Sequence, residues 1–117
     1  MRADIENYMS LDRIVHEPAR LVILTLLAEA DAMEFRFLEK VSGFTKGNLS
    51  GHISKLEQAG YVEVVKFFRG KLPATSLKIT AQGRKALKQY RRQLNEAFRH
   101  KPTFLTAVKR RFHPMSS

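Results

Sequence analysis

Residues 45–59, TKGNLSGHISKLEQA, divide their side chains sharply if they form a helix. At about 100° per residue, Leu49, Ile53 and Leu56 share one side, while Gly47, Gly51, Ser54 and Gln58 share the other, flanked by Asn48, Ser50 and Lys55. Glycine inside a helix costs about 1 kcal/mol relative to alanine, so two on one face need a reason beyond helix stability. Close approach to another surface is such a reason. A major groove admits a helix, and short polar side chains let its axis sit deep while Asn, Ser and Lys reach base edges or phosphates. The plain alternative is a solvated helix with poorly placed glycines.

Charge supports the first reading. Residues 1–45 carry five Lys/Arg against eight Asp/Glu, residues 46–83 six against two, and residues 84–117 ten against one, within a net charge of +10. Positive charge therefore begins where the polar face begins. A basic block implies a polyanionic partner, with nucleic acid first, an anionic membrane surface second and a merely solvated surface as the bland alternative.

Other chemistries find little to work with. The absence of cysteine removes disulfides, thiolate catalysis and cysteine-built zinc sites. His16, His52, His100 and His113 form no i, i+4 pair and have no carboxylate at metal-ligand spacing. No glycine-rich phosphate loop or nucleophile-and-base signature is present, so no enzyme, cofactor or metal is expected. The apolar run at residues 21–27 falls far short of the roughly 20 residues that span a bilayer. Nothing resembles a secretory signal, and a cytoplasmic protein without membrane attachment is expected.

One compact domain is the expectation for 117 residues. Ile5, Met9, Leu11, Ile14 and Val15 suit a short amphipathic helix over residues 4–15, and Pro18 suits the first turn of the next. Apolar residues surround residues 19–28, which marks a central core helix. Asp31 and Glu34 have capping-box spacing, but a turn before a short strand at residues 33–35 is favoured. Phe37, Leu38 and Val41 give a short third helix stopped near Ser42 and Gly43. Thr45 caps the polar-faced helix and Gly60 closes it. Residues 61–68 and 75–79 read as strands of a hairpin, with Arg69, Gly70, Lys71, Leu72 and Pro73 at the tip. Thr80 caps a last helix with Leu87, Tyr90, Leu94, Ala97 and Phe98 at helical spacing, running to about His100 because Pro102 disfavours a helical conformation at Lys101. Beyond it, Phe104, Leu105, Val108 and Phe112 give a short terminal helix or a basic tail.

Helix, helix, turn, helix, hairpin, helix is the order of a helix-turn-helix with a wing. The stretches HEPARLVILTLLAEA, FTKGNLSGHISKLEQAGYVEV and SLKITAQGRKAL, spanning about residues 11–94, resemble the single-domain winged helix-turn-helix transcriptional regulators of the MarR/ArsR-like class. The resemblance implies a mainly α fold with a small β-hairpin, a winged helix domain over residues 1–100, and a basic segment over residues 101–117. It implies a sequence-specific regulator of double-stranded DNA, a homodimer held by terminal helices, with the recognition helix 45–59 in the major groove. By position, Lys46, Asn48, Ser50, His52, Ser54 and Lys55 would make groove contacts and Thr45 would bond a phosphate. Arg69 and Lys71 would make the contact of the wing, residues 66–76, on the backbone or minor groove. Arg36 departs from the pattern where a small capping residue is usual.

The last helix adds a separate case for the dimer. Leu87, Tyr90, Leu94 and Phe98 extend an apolar seam beyond what a small core covers, so a second copy is expected on it, unless the chain's own first helix covers it. Twofold symmetry would then imply a pseudo-palindromic operator. Tyr8, Tyr90 and Phe98 are expected as plain core; a small-molecule effector cavity beside them is conceivable but unsupported. The basic residues from Arg91 to Arg111 fit a solvated face, an added phosphate-binding arm, or a membrane or protein contact. The competing reading for the whole chain is a winged-helix interaction module for a protein or structured RNA.

Overall fold

A computed structural model describes residues 2–98 and contains, in chain order, α1 (Arg2–Met9), α2 (Pro18–Ala30), β1 (Ala32–Glu34), α3 (Phe35–Ser42), α4 (Lys46–Gln58), β2 (Val62–Arg69), β3 (Leu72–Ile79) and α5 (Ala81–Ala97). This is the expected mainly α fold with a hairpin, enlarged by the pairing of β1 with β3 into a three-stranded antiparallel sheet of order β1-β3-β2. The terminal helix anticipated around Phe104 lies outside the described residues.

Residues 12–88 form one compact unit. Its core is built from Val15, Ile23, Leu24, Leu27, Leu38, Leu49, Leu56 and Leu77, all fully buried. Pro18 opens α2, and the Glu17 carboxylate caps it by accepting the Arg20 amide at 2.8 Å. Burial pushes the Glu17 pKa up, but hydrogen bonds from the Arg20 and Ala19 amides and the charges of His52 and Arg20 outweigh it, leaving the carboxyl below its ordinary 4.5. Asp31 sits at φ 64° and ψ −52° at the end of α2. The Arg84 guanidinium holds that turn, donating to the Ala28 carbonyl at 2.9 Å and to Asp31 Oδ1 at 3.1 Å. The chain therefore makes the expected turn there, with no capping box.

Helix α1 stops at Met9, short of the expected residue 15. Asp12 is the reason, since its carboxylate accepts the amides of Ile14 at 2.8 Å and Val15 at 3.3 Å, a local alternative to helix. The other oxygen of that carboxylate accepts the Tyr61 hydroxyl. Burial and this bond push the Tyr61 pKa up to about 12.

The hairpin is more regular than expected. Strand pairing continues to Arg69 opposite Leu72, leaving Gly70 and Lys71 as a two-residue turn. Gly70 has φ 65° while Lys71 has no positive φ, the pattern of a type II′ turn that demands glycine first. Pro73 is accommodated within β3 because β1 reaches only residues 76–78, so one edge is open at Pro73. Gly83 answers a different demand. A methyl at this position would lie 2.2 Å from the Tyr61 carbonyl oxygen, so only glycine lets the first turn of α5 approach that backbone. Thr80 caps this turn as expected, accepting the Gly83 amide at 2.9 Å while donating to the Gly60 carbonyl at 2.6 Å.

The second unit comprises the chain before residue 12 and the chain from residue 89. Within it Asp4, Leu11, Tyr90 and Ala97 are buried, whereas Ile5, Tyr8 and Met9 leave an exposed apolar stripe on α1. Burial and the neighbouring Tyr8 raise the Tyr90 pKa.

Candidate nucleic-acid interface

Helix α4 is fixed at its start by Thr45, whose hydroxyl accepts the Asn48 amide at 3.2 Å and whose carbonyl accepts the Leu49 amide at 2.9 Å. That cap sets the rotation of the helix. Leu49, Ile53 and Leu56 enter the core, and Gly47, Asn48, Ser50, Gly51, Ser54, Lys55 and Gln58 are exposed. A methyl built on Gly47 or Gly51 would meet no atom within 4 Å. The glycine-bearing side is thus open to solvent, and the helix axis is accessible there at closer range than alanine would permit.

A groove of about 300 Å³ lies between α4 and the hairpin. Lys46, Ser50 and Ser54 form its helical side with Glu57, Lys66 and Thr75 form its strand side, and Ile53 contributes to its floor. Lys66 was not singled out from the sequence. Strand alternation could have found it, because residues 62, 64 and 66 share a face and Val62 is core. A second hollow of about 270 Å³ gathers Arg36, Lys40 and Arg69 around Glu34 and Phe37, adding two cations that sequence reading also missed.

Not every expected contact lies on the open side. His52 is turned away from the glycine face, with Nδ1 3.3 Å from Arg20 Nη1 and 3.7 Å from Glu17 Oε2. Arg20 is itself buried and also donates to the Ile14 carbonyl at 2.7 Å and the Arg13 carbonyl at 3.4 Å. His52 therefore ties α4 to the start of α2. Arg69 is exposed but engaged. Its Nη2 lies 2.9 Å from Glu34 Oε1, and its guanidinium is 5.9 Å from the centre of the Phe67 ring. Lys71 is exposed at the turn.

The four expected dimer residues also separate. Leu87 and Tyr90 are buried within the single chain, whereas Leu94 and Phe98 are half-buried. Folding alone already covers the first two. Among the described residues no group of three or more His, Asp or Glu could hold a metal ion, and no helix is long and apolar enough to cross a membrane.

A family model described as a winged helix DNA-binding domain matches residues 19–98. The chain belongs to this winged helix family. An uncharacterised protein of Methanocaldococcus jannaschii is 39% identical to the winged helix chain over 79 residues, covering 67% of this chain and 85% of that one. Among solved structures, a transcriptional regulator homologue from Pyrococcus horikoshii matches with a TM-score of 0.66 and 29% identity, over 97% of this chain and 99% of that one. A MarR mutant from E. coli complexed with operator DNA matches with a TM-score of 0.61 over 97% of this chain and 86% of that one. At 18% identity the latter is a likeness of winged helix fold alone.

Proposed function

We propose that this chain is a sequence-specific transcriptional regulator that binds double-stranded DNA as a homodimer, with α4 in the major groove and residues 66–76 on the backbone or adjacent minor groove. One observation carries the proposal: a methyl added at Gly47 or Gly51 would meet no other part of the protein within 4 Å, so the helix backbone is open to a partner there. Its flanking Asn48, Ser50, Ser54 and Lys55 are exposed, and side chains of these types reach base edges and phosphates from a helix seated in a groove. Lys46 and Lys66 on opposite sides of the groove offer two cations to one phosphate strand. Thr45, whose hydroxyl oxygen caps the helix, would donate its hydroxyl hydrogen to a further phosphate.

For the dimer, the exposed apolar side of α1 in the second unit supports a revised interface. Ile5 and Met9, 47% and 68% exposed, form with Tyr8 an i, i+3, i+4 stripe on α1. Together with the half-buried Leu94 and Phe98 they are the surface a second copy would cover. Residues 101–117 are proposed as an appended basic segment, outside the winged helix domain of residues 1–100.

The test compares Lys55→Ala and Arg69→Ala with the parent protein on duplexes selected from a random pool, across a salt series. Loss of one phosphate contact per protomer should weaken binding and reduce the magnitude of the log–log salt slope by about one per protomer. Unchanged affinity and slope in both variants would contradict the proposed docking, and recovery of a stoichiometric protein or RNA with no duplex motif would replace it with the interaction-module reading.

A further inference from the structure

The tip of the hairpin carries a feature that phosphate contacts do not explain. Phe68 is 73% exposed, the greatest exposure of any large apolar side chain among the described residues. Its cross-strand partner is Pro73, so two apolar groups stand side by side in water. Nothing in the turn requires them, since Gly70 and Lys71 close the hairpin.

Direction follows from strand alternation. Lys66 and Thr75 are a cross-strand pair, and both line the groove shared with α4. Two residues further along, Phe68 and Pro73 stand on the same face, about 7 Å closer to the tip. They therefore continue the surface that begins with the open side of α4. Leu72, 65% exposed, pairs with Arg69 and belongs to the reverse face. Lys66 shares this face and Lys71 sits at the turn, whereas Arg69 lies on the reverse face against Glu34, so two cations flank the apolar pair on the side that would meet a polyanion.

We propose that Phe68, backed by Pro73, is an apolar wedge that enters the minor groove beside the half-site read by α4 and partly unstacks one base step. This rests on the DNA-binding reading and deepens it. An aromatic ring inserted at a base step exchanges water for stacking against the bases, and the cost of unstacking is least at flexible pyrimidine–purine steps. The wing would then select sequence through deformability at a position where it makes no base-edge hydrogen bond. Flanking cations would hold the hairpin against the phosphates while the ring does so.

The experiment uses the full chain and selected duplexes in which 2-aminopurine replaces adenine at successive positions on either side of the half-site. With the parent protein, fluorescence should rise several-fold at one flanking step and stay flat elsewhere. Phe68→Ala should abolish that rise and weaken binding roughly five- to tenfold, with an unchanged salt slope because no charge is removed. Phe68→Leu should keep part of the rise, and Leu72→Ala should keep all of it. Thermal melting of each variant checks that this exposed site leaves the fold intact. A duplex complex with no rise at any position, or a rise that survives Phe68→Ala, overturns the wedge and leaves the regulator reading standing. Loss of self-association in Phe68→Ala with the rise retained also overturns it, and absence of duplex binding by the parent protein overturns both.

Discussion

Replacing Gly51 by alanine should move stability and duplex affinity in opposite directions. Gly51 lies in the interior of α4, and a methyl added there touches nothing within 4 Å, so no strain offsets the gain in helix propensity. That gain is about 1 kcal/mol, which for a domain of this size raises Tm by roughly 4–8 °C. In the complex the same methyl would stand between the helix axis and the duplex. Forcing an extra carbon into a close-packed contact costs about 1–3 kcal/mol, so affinity should fall roughly tenfold or more per recognition helix. Calorimetric melting and fluorescence anisotropy on a selected duplex measure the two effects in one preparation. A variant that gains stability and binds as tightly as the parent would refute the close approach of this face. A variant that gains no stability would refute its freedom in the unbound protein.

Other substitutions probe what holds that face in position. Gly83→Ala should behave oppositely to Gly51→Ala, losing at least about 3 kcal/mol or failing to fold, because its methyl would collide with the Tyr61 backbone; denaturant titration reads this directly. Arg20→Met should cost roughly 2–4 kcal/mol in the same assay, since it leaves the Ile14 carbonyl without its donor and releases His52 from the start of α2. Glu17→Gln tests the acid side. Because the folded-state pKa of Glu17 is lowered, its contribution is fully present above the ordinary 4.5 and fades as pH falls through the folded value. The stability gap between parent and variant should therefore be constant near neutrality and close in acid; a gap that widens on acidification would reverse the assignment.

Much of this architecture was legible because local rules agreed with one another. Pro18, Thr45, Gly43 and Thr80 mark helix ends through backbone chemistry that neighbours cannot override, and each does so in the structure. The Leu49, Ile53, Leu56 stripe was legible for the same reason, and with it the glycine-bearing side opposite. Helix α3 was harder. Its eight residues carry two apolar pairings, Phe35 with Leu38 and Phe37 with Val41, and periodicity alone does not choose between them. The structure buries Leu38 and leaves Phe37 and Val41 about half exposed.

What the sequence did not show was the set of contacts made with partners distant in sequence. His52 lies close to the buried stripe of α4 on a helical wheel, but only the fold brings Arg20 and Glu17 to its ring. Arg69 reads as a free wing cation until β1, more than thirty residues earlier, supplies Glu34. Leu87 and Tyr90 looked like surplus apolar surface because composition does not reveal how much of a seam one chain can bury. Tertiary contact decided each case.

Entry of the glycine-bearing side of α4 into a duplex can be followed by titrating isotope-labelled protein with a selected duplex and recording backbone amide resonances. Gly47, Asn48, Gly51 and Lys55 should show the largest shifts, joined by residues of the hairpin tip. Saturation of binding with those four amides unmoved, and the shifts confined to other surfaces, would contradict it.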